Sequence, residues 1–480
     1  MPVNSEYSDI NELNDEAPES LVQNTEKKKK CGLVTVSVIA STIVMVVLLF
    51  VLFSGPSYDG DCYTSCCTHE GYEYCPGDCI WQGADSLIYQ AYDLYCPTDA
   101  TERVMLKYEI SREEALCNDG TKAALHHRTS LPGPNENKWV FRFEGGNLCY
   151  DEETCLYRLY GTPYIMTTAP TPIIYQDPEG GIFNGHPGDG TTWTNPDYHD
   201  YNAVTTHYCS SDSWVGNSTI DDNDVGYHFM GYHNVMGTFE EALLQFGLEE
   251  ATEISITGFS AGCYGILMMS DQIFEWFEEN VPNANVNFLC DSGWFMASVD
   301  DLGTFDESSY DNTTLSRQME IAWPTWNPVV SEDCLAEVND WTCTIPEYHW
   351  QYLHYTDNIF ISEHSYDNIH VDMHMGFNVS ADYSEEEIEE YELYLAQATV
   401  DSLVENDVNF MSCNCDMHDS TNRHWFYEIT VEDRMLGDYY TDFQAGERGI
   451  QVIDETENGA NANPTCEGVD DDNYMPPHID

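Results

Sequence analysis

The stretch Glu253 to Met269 constrains this chain more than any other. It reads Glu-Ile-Ser-Ile-Thr-Gly-Phe-Ser-Ala-Gly-Cys-Tyr-Gly-Ile-Leu-Met-Met. Residues that favour extended backbone (Ile254, Ile256, Thr257) lead into Gly258-Phe259-Ser260-Ala261-Gly262, and an apolar run with helical spacing follows. The pattern predicts a strand, a sharp turn and a helix, with a serine at the apex. Such a turn pushes the Ser260 hydroxyl out at the top of a sheet and aims the next backbone N–H, that of Ala261, at the same point. The positive end of the following helix favours an oxyanion there. The pentapeptide is also compatible with an ordinary strand-to-helix turn, so other parts of the chain must decide.

Length and composition narrow the field. The 480 residues leave room for one large domain or two to three smaller ones, and 42% apolar content supports a sizeable core. Sixteen Lys and Arg stand against 85 Asp and Glu, a formal charge of −69. That surface repels polyanions, which excludes a nucleic-acid partner and disfavours densely anionic substrates at low salt. Solubility in a saline medium accounts for the acidity more simply than calcium capture does. Eighteen cysteines imply an oxidising compartment. Setting aside Cys31 at the membrane edge leaves an odd seventeen, so at least one is unpaired or joined to another chain. The Asn-x-Ser/Thr sites at Asn217, Asn312 and Asn378 fit a secreted setting.

Read in order, residues 1–30 form a polar cytoplasmic tail that closes on Lys27-Lys28-Lys29-Lys30. Residues 31–54 carry an almost wholly apolar run, Gly32 to Phe53, long enough to span a bilayer. The lysines before it and Asp59 and Asp61 after it predict a signal anchor of type II topology, with the bulk of the chain in the secretory lumen or outside the cell. Residues 55–84 hold Cys62, Cys66, Cys67, Cys75 and Cys79, a disulfide-stapled stalk in preference to a zinc site. Residues 85–455 read as the globular body, and 456–480 as an acidic tail. Within the body, strands are expected at Trp139–Glu144, Asn202–His207, Glu253–Thr257, Val286–Cys290 and Asn358–Ser362. Helices are expected at Phe239–Phe246 and Ser384–Glu405. This alternation predicts an α/β fold: a mostly parallel sheet with helices on both faces, after a single transmembrane helix.

A serine hydrolase of this architecture needs an acid and then a histidine after the serine, and backbone donors from a loop after an earlier strand. The strand ending at Glu144-Gly145-Gly146-Asn147 is placed to supply that loop. Taken with Cys149 and Cys155, with Tyr208-Cys209-Ser210-Ser211-Asp212-Ser213-Trp214-Val215-Gly216 and with Asp291-Ser292-Gly293-Trp294-Phe295, the sequence resembles the pectin acetylesterase/Notum family from about Cys117 to His418. The resemblance implies an α/β-hydrolase-fold carboxylesterase without a cofactor or metal. Such enzymes remove O-acetyl groups from cell-wall polysaccharide or, in Notum, a fatty acyl group from a signalling protein. Residue by residue it implies Ser260 as nucleophile, Asp367 as acid, His418 as base, and Gly146, Asn147 and Ala261 as oxyanion donors. Asn147 departs from the tryptophan or glycine of many relatives, which keeps the backbone N–H but changes the pocket wall.

Competing readings of the same residues stand beside these. Asp291 also follows a strand and is the alternative acid. His370-Val-Asp372-Met-His374 has metal-like spacing, but such residues are common in an acidic, histidine-rich chain and a solvated loop is the preferred reading. Cys149 and Cys155 suit a local disulfide bracing the oxyanion loop, while Cys263 and Cys290 read as core residues. For the whole chain, the expected function is O-deacetylation of an extracellular polysaccharide through an acyl-enzyme. The alternatives are a Notum-like deacylase and a membrane-tethered binding ectodomain without turnover.

Overall fold

The computed structural model describes residues 104–466 apart from 169–173, 177–180, 186–194, 223–224, 298–313, 376–383 and 457–458, together with a two-residue antiparallel pair at Thr68–His69 and Tyr72–Glu73. The expected cytoplasmic tail, apolar span, the rest of the stalk, and the chain after Cys466 lie outside the described residues. Among those described, no helix is long and apolar enough to cross a membrane.

Ten strands form one sheet. In chain order they are β1 (Val104–Glu109), β2 (Ala124–Arg128), β3 (Lys138–Phe143), β4 (Ile174–Gln176), β5 (Asn202–Thr206), β6 (Glu253–Phe259), β7 (Asn285–Asp291), β8 (Ile359–His364), β9 (Asn409–Cys413) and β10 (Gln451–Ile453). Their spatial order is β10-β9-β8-β7-β6-β3-β5-β2-β1-β4. Every neighbour from β10 to β5 is parallel, and β2, β1 and β4 continue the sheet antiparallel. The sheet is thus mostly parallel, as the strand and helix alternation requires, with an antiparallel flank that the sequence pattern did not signal.

Side chains alternate across each strand, so one sheet feeds two cores. Trp139, Phe141 and Phe143 of β3, with Ile254 and Ile256 of β6, pack on one face. Val140, Ala203, Leu289, Phe360 and Met411 pack on the other. β6 and β7, buried on both faces, are the strands whose C-terminal ends carry Ser260 and Asp291. This places the loops that matter at one edge, the C-terminal ends of the parallel strands, where ligands of open α/β sheets bind.

Five disulfides occur among the described residues: Cys117–Cys209, Cys149–Cys155, Cys263–Cys290, Cys334–Cys343 and Cys415–Cys466. Cys149–Cys155 matches expectation. Cys263 and Cys290 do not: instead of plain core residues they are a covalent tie between the helix after Ser260 and strand β7. Both lie on apolar elements, which hid the pairing. The Cys415–Cys466 bond fastens the segment around Cys466 to the loop after β9. Cys413 alone is free among the described cysteines, and it is buried.

Candidate active site

The nucleophile turn is built by exclusion. A Cβ on Gly262 would sit 2.0 Å from the Phe143 carbonyl oxygen, and one on Gly258 would sit 2.4 Å from the Gly262 carbonyl carbon. Only glycine at both positions lets helix α3 (Ala261–Met268) start this close to β6 and β3. Between them Ser260 adopts φ 54° and ψ −127°, backbone that L residues rarely occupy and that the flanking packing must hold. Its N–H donates to the Asp291 carbonyl at 2.9 Å, which pins the turn to the end of β7.

Asp367 lies in the turn after β8, at the start of helix α6 (Asn368–Met375). His418 lies in the loop after β9. The His418 Nδ1 stands 2.7 Å from Asp367 Oδ2, and both side chains are buried. Asp367 Oδ1 accepts from the Ile369 and His370 N–H groups, so the carboxylate is oriented on both oxygens. Burial opposes the charged imidazole of His418, but Asp367, helped by Asp419 and Asp291, outweighs it and raises its basicity. Burial, then the proximity of Asp367 and Asp291, pushes the neighbouring Glu363 carboxyl well above the usual range, which keeps Glu363 neutral beside them.

Asp291, the alternative acid, has other commitments. It accepts from the backbone N–H and hydroxyl of both Ser420 and Thr421, at 2.8–3.2 Å. Those two residues follow His418 closely, so Asp291 holds the histidine loop in place and is not aimed at the histidine ring. His370 also departs from expectation. It is not in a solvated loop but on helix α6, buried, with Nε2 accepting from the Met296 N–H at 3.2 Å. The side chains of Asp372 and His374 lie outside the described residues, and no metal-binding cluster includes His370 among those described. The one grouping of ligand-type atoms among the described residues is His364, Cys413 and Cys415, and Cys415 is already spent in a disulfide.

Ser260 and His418 line a single cavity of about 130 Å³, together with Gly146, Asn147, Ala261, Ser213, Leu148, Tyr264, Phe295, Leu315 and Ile369. All six residues singled out from the sequence except Asp367 reach this wall, and Asp367 stands directly behind His418. The N–H groups of Gly146, Asn147 and Ala261 have no hydrogen-bond partner among the described residues. Asn147 takes φ 60°, a conformation asparagine tolerates, and turns its own Oδ1 back to accept from the Leu148 N–H at 2.7 Å. Its side chain therefore stabilises the loop.

The stretch from Tyr208 to Gly216 supplies the buttress. Ser211, Ser213 and Trp214 all have positive φ, held by Asp212, which accepts from the Ser210 hydroxyl and the Trp214 and Gly231 N–H groups. Trp214 Nε1 donates to the Glu144 carbonyl, and the Cys149 N–H to the Ser211 carbonyl, both at 2.9 Å. Ser213 is a cavity residue that sequence reasoning missed, although it lies inside the quoted motif. The arrangement brings a hydroxyl, an imidazole with an oriented carboxylate behind it, and open backbone donors to one small apolar chamber. Such a set can pass a proton from hydroxyl to imidazole and hold a tetrahedral oxyanion.

Sheet order, turn and chamber define an α/β-hydrolase fold. The pectinacetylesterase family model matches residues 98–466, and the chain belongs to that family. Among curated relatives it is similar to palmitoleoyl-protein carboxylesterase notum1a of Danio rerio, 31% identical over 268 residues (53% of this chain, 49% of the relative). It is also similar to palmitoleoyl-protein carboxylesterase NOTUM of Drosophila melanogaster, 28% identical over 248 residues (50% of this chain, 34% of the relative). The chain thus spans half or less of the length of these relatives. In three dimensions it is similar to the Wnt deacylase Notum from Drosophila, with TM-score 0.66 at 23% identity, covering 76% of this chain and 100% of that one.

Proposed function

We propose that this chain is a serine carboxylesterase. Ser260 attacks an ester carbonyl, His418 takes its proton and returns it to the leaving alcohol, and Asp367 orients the imidazole and stabilises its charged form. The N–H groups of Gly146, Asn147 and Ala261 receive the oxyanion, and water then releases the acid from the acyl-enzyme. The observation that carries this reading is the shared cavity of Ser260 and His418, with Asp367 on the far side of the imidazole.

The acyl group is short. A dry cavity of about 150 Å³ holds a molecule the size of benzene. The chamber of about 130 Å³ therefore suits an acetyl group or one a few carbons longer. The substrate proposed is an O-acetylated extracellular polysaccharide, neutral or met in salt, because the charge of −69 repels an anionic one. Residues 32–53 are proposed to anchor the chain with this body outside the cytoplasm, a setting that the disulfides support.

The second reading, a deacylase of the Notum kind, is favoured by the activity of the relatives alone. Hydrolysis rates on p-nitrophenyl acetate, butyrate, octanoate and palmitate separate the two. Acetate or butyrate turned over fastest, with the activity lost in Ser260→Ala, supports the first. A maximum at octanoate or beyond supports the second, and no turnover of any ester supports a binding ectodomain.

A further inference from the structure

Arg158 sits on helix α1 (Glu152–Gly161), one turn after Cys155. Its Nη1 donates to the Gly146 carbonyl oxygen at 2.7 Å, the length of a charge-assisted hydrogen bond. That carbonyl belongs to the peptide whose N–H is Asn147's. The peptide is trans, so its C=O and N–H point in opposite directions. A cation pulling on the oxygen therefore lies behind an N–H that has no partner of its own among the described residues.

The remaining surroundings of Arg158 do not explain a buried cation. Its side chain is 5% exposed, and among the described residues no carboxylate lies within ion-pair distance of it. Its Nε donates to the Ser211 hydroxyl at 3.0 Å, its guanidinium stands 5.9 Å from the Tyr208 ring centre, and Nη2 has no partner among the described residues. The charge of the buried Asp212 acts on it only from beyond ion-pair distance, so removing the guanidinium from water remains unfavourable, and a structural brace for a loop would be met by a neutral amide. What the positive charge adds is polarisation of the peptide it touches. The helix carrying it is attached to the same loop by the Cys149–Cys155 disulfide and by the Asp151–Thr154 capping box, so the arginine and the peptide are positioned as one unit.

We propose that Arg158 is a positioning residue of the oxyanion site: it holds the Gly146–Asn147 peptide with its N–H toward the cavity and strengthens that N–H as a donor as negative charge develops on the substrate oxygen. The inference rests on the esterase reading above. It acts on charge that exists only in the tetrahedral state, so it raises kcat and leaves ground-state binding almost untouched.

The test is a series, Arg158→Lys, Arg158→Gln and Arg158→Met, assayed on p-nitrophenyl acetate and with a short-chain alkyl trifluoromethyl ketone, which forms a tetrahedral oxyanion with a nucleophilic serine. Arg158→Met is expected to lower kcat about 10- to 100-fold, with KM within about two-fold. Gln, which keeps a donor without charge, falls between Met and wild type, and Lys recovers most of the loss. Ketone inhibition weakens across the series in proportion to kcat/KM. A folded Met or Gln variant with wild-type kcat overturns the proposal. So does a loss of kcat/KM, in whichever variants fold (Lys alone suffices), that ketone affinity does not follow. If the wild type is inactive on every ester, the esterase reading itself fails; an active wild type with an indifferent series fails this inference alone.

Discussion

Two histidine–carboxylate pairs, one buried and one half-buried, are built to opposite ends. His418 and Asp367 meet at 2.7 Å, and the imidazole belongs to the cavity wall beside Ser260. His207 and Glu144 meet at 3.3 Å on the other side of the oxyanion loop, and there the second ring nitrogen, Nε2, faces the Tyr164 and Thr167 carbonyls at 2.8 and 3.3 Å. A ring between a carboxylate and carbonyls must donate from both nitrogens, so His207 is held as an imidazolium. Burial favours the neutral form of both groups, yet Glu144 raises His207, while His207 and Arg142 draw Glu144 down to about 2. The lesson is that a short contact to a carboxylate does not make a histidine catalytic. What the other nitrogen can reach decides whether the proton is held or passed on.

Exchanging the two histidines is the strongest way to break this comparison. His418→Gln is expected to lower kcat by about 10⁴-fold or more. His207→Gln should act chiefly on stability, reducing it by about 1–3 kcal/mol because the half-buried Glu144 loses one of its partners, with kcat within about ten-fold. Calorimetry and steady-state kinetics on the same preparations check both.

The pH dependence sharpens the contrast. His418 must be neutral to accept the Ser260 proton, and Asp367 raises it, so kcat/KM should climb along a limb lying above the ordinary histidine value near 6.5. Asp367→Asn is expected to lower kcat by about 10³- to 10⁴-fold and to move that limb to lower pH.

The structural pair should titrate in stability and hardly in rate. The lowered Glu144 contributes stability present above its unfolded value of 4.5, lost as pH falls toward about 2. The raised His207 contributes stability fully present below 6.5, lost as pH rises through its folded value. The difference in unfolding free energy between wild type and Glu144→Gln should therefore peak between about 4.5 and 6.5, measured by urea denaturation across pH.

How much of this could be read from the chain follows from how local each feature is. The Ser260 turn was legible because strand, glycines and helix sit within seventeen consecutive residues. Asp367 and His418 are 51 positions apart and touch only once β8 and β9 lie side by side, so family resemblance alone pointed to them. The antiparallel strand Ala124–Arg128 was hidden by its His126-His127-Arg128, polar residues that are nonetheless buried. Arg158 carried no signal, because an arginine in the last turn of a short helix looks like ordinary surface. His370 was expected in a solvated loop because its neighbours Asp372 and His374 are polar, and it lies instead buried on a helix.

Incubation of the purified protein with a fluorophosphonate, followed by peptide mass mapping, tests the central claim most directly. The account predicts one adduct on Ser260, formed at neutral pH, suppressed in His418→Gln and absent after unfolding. An adduct on another serine, or a folded protein that acquires none, would contradict it.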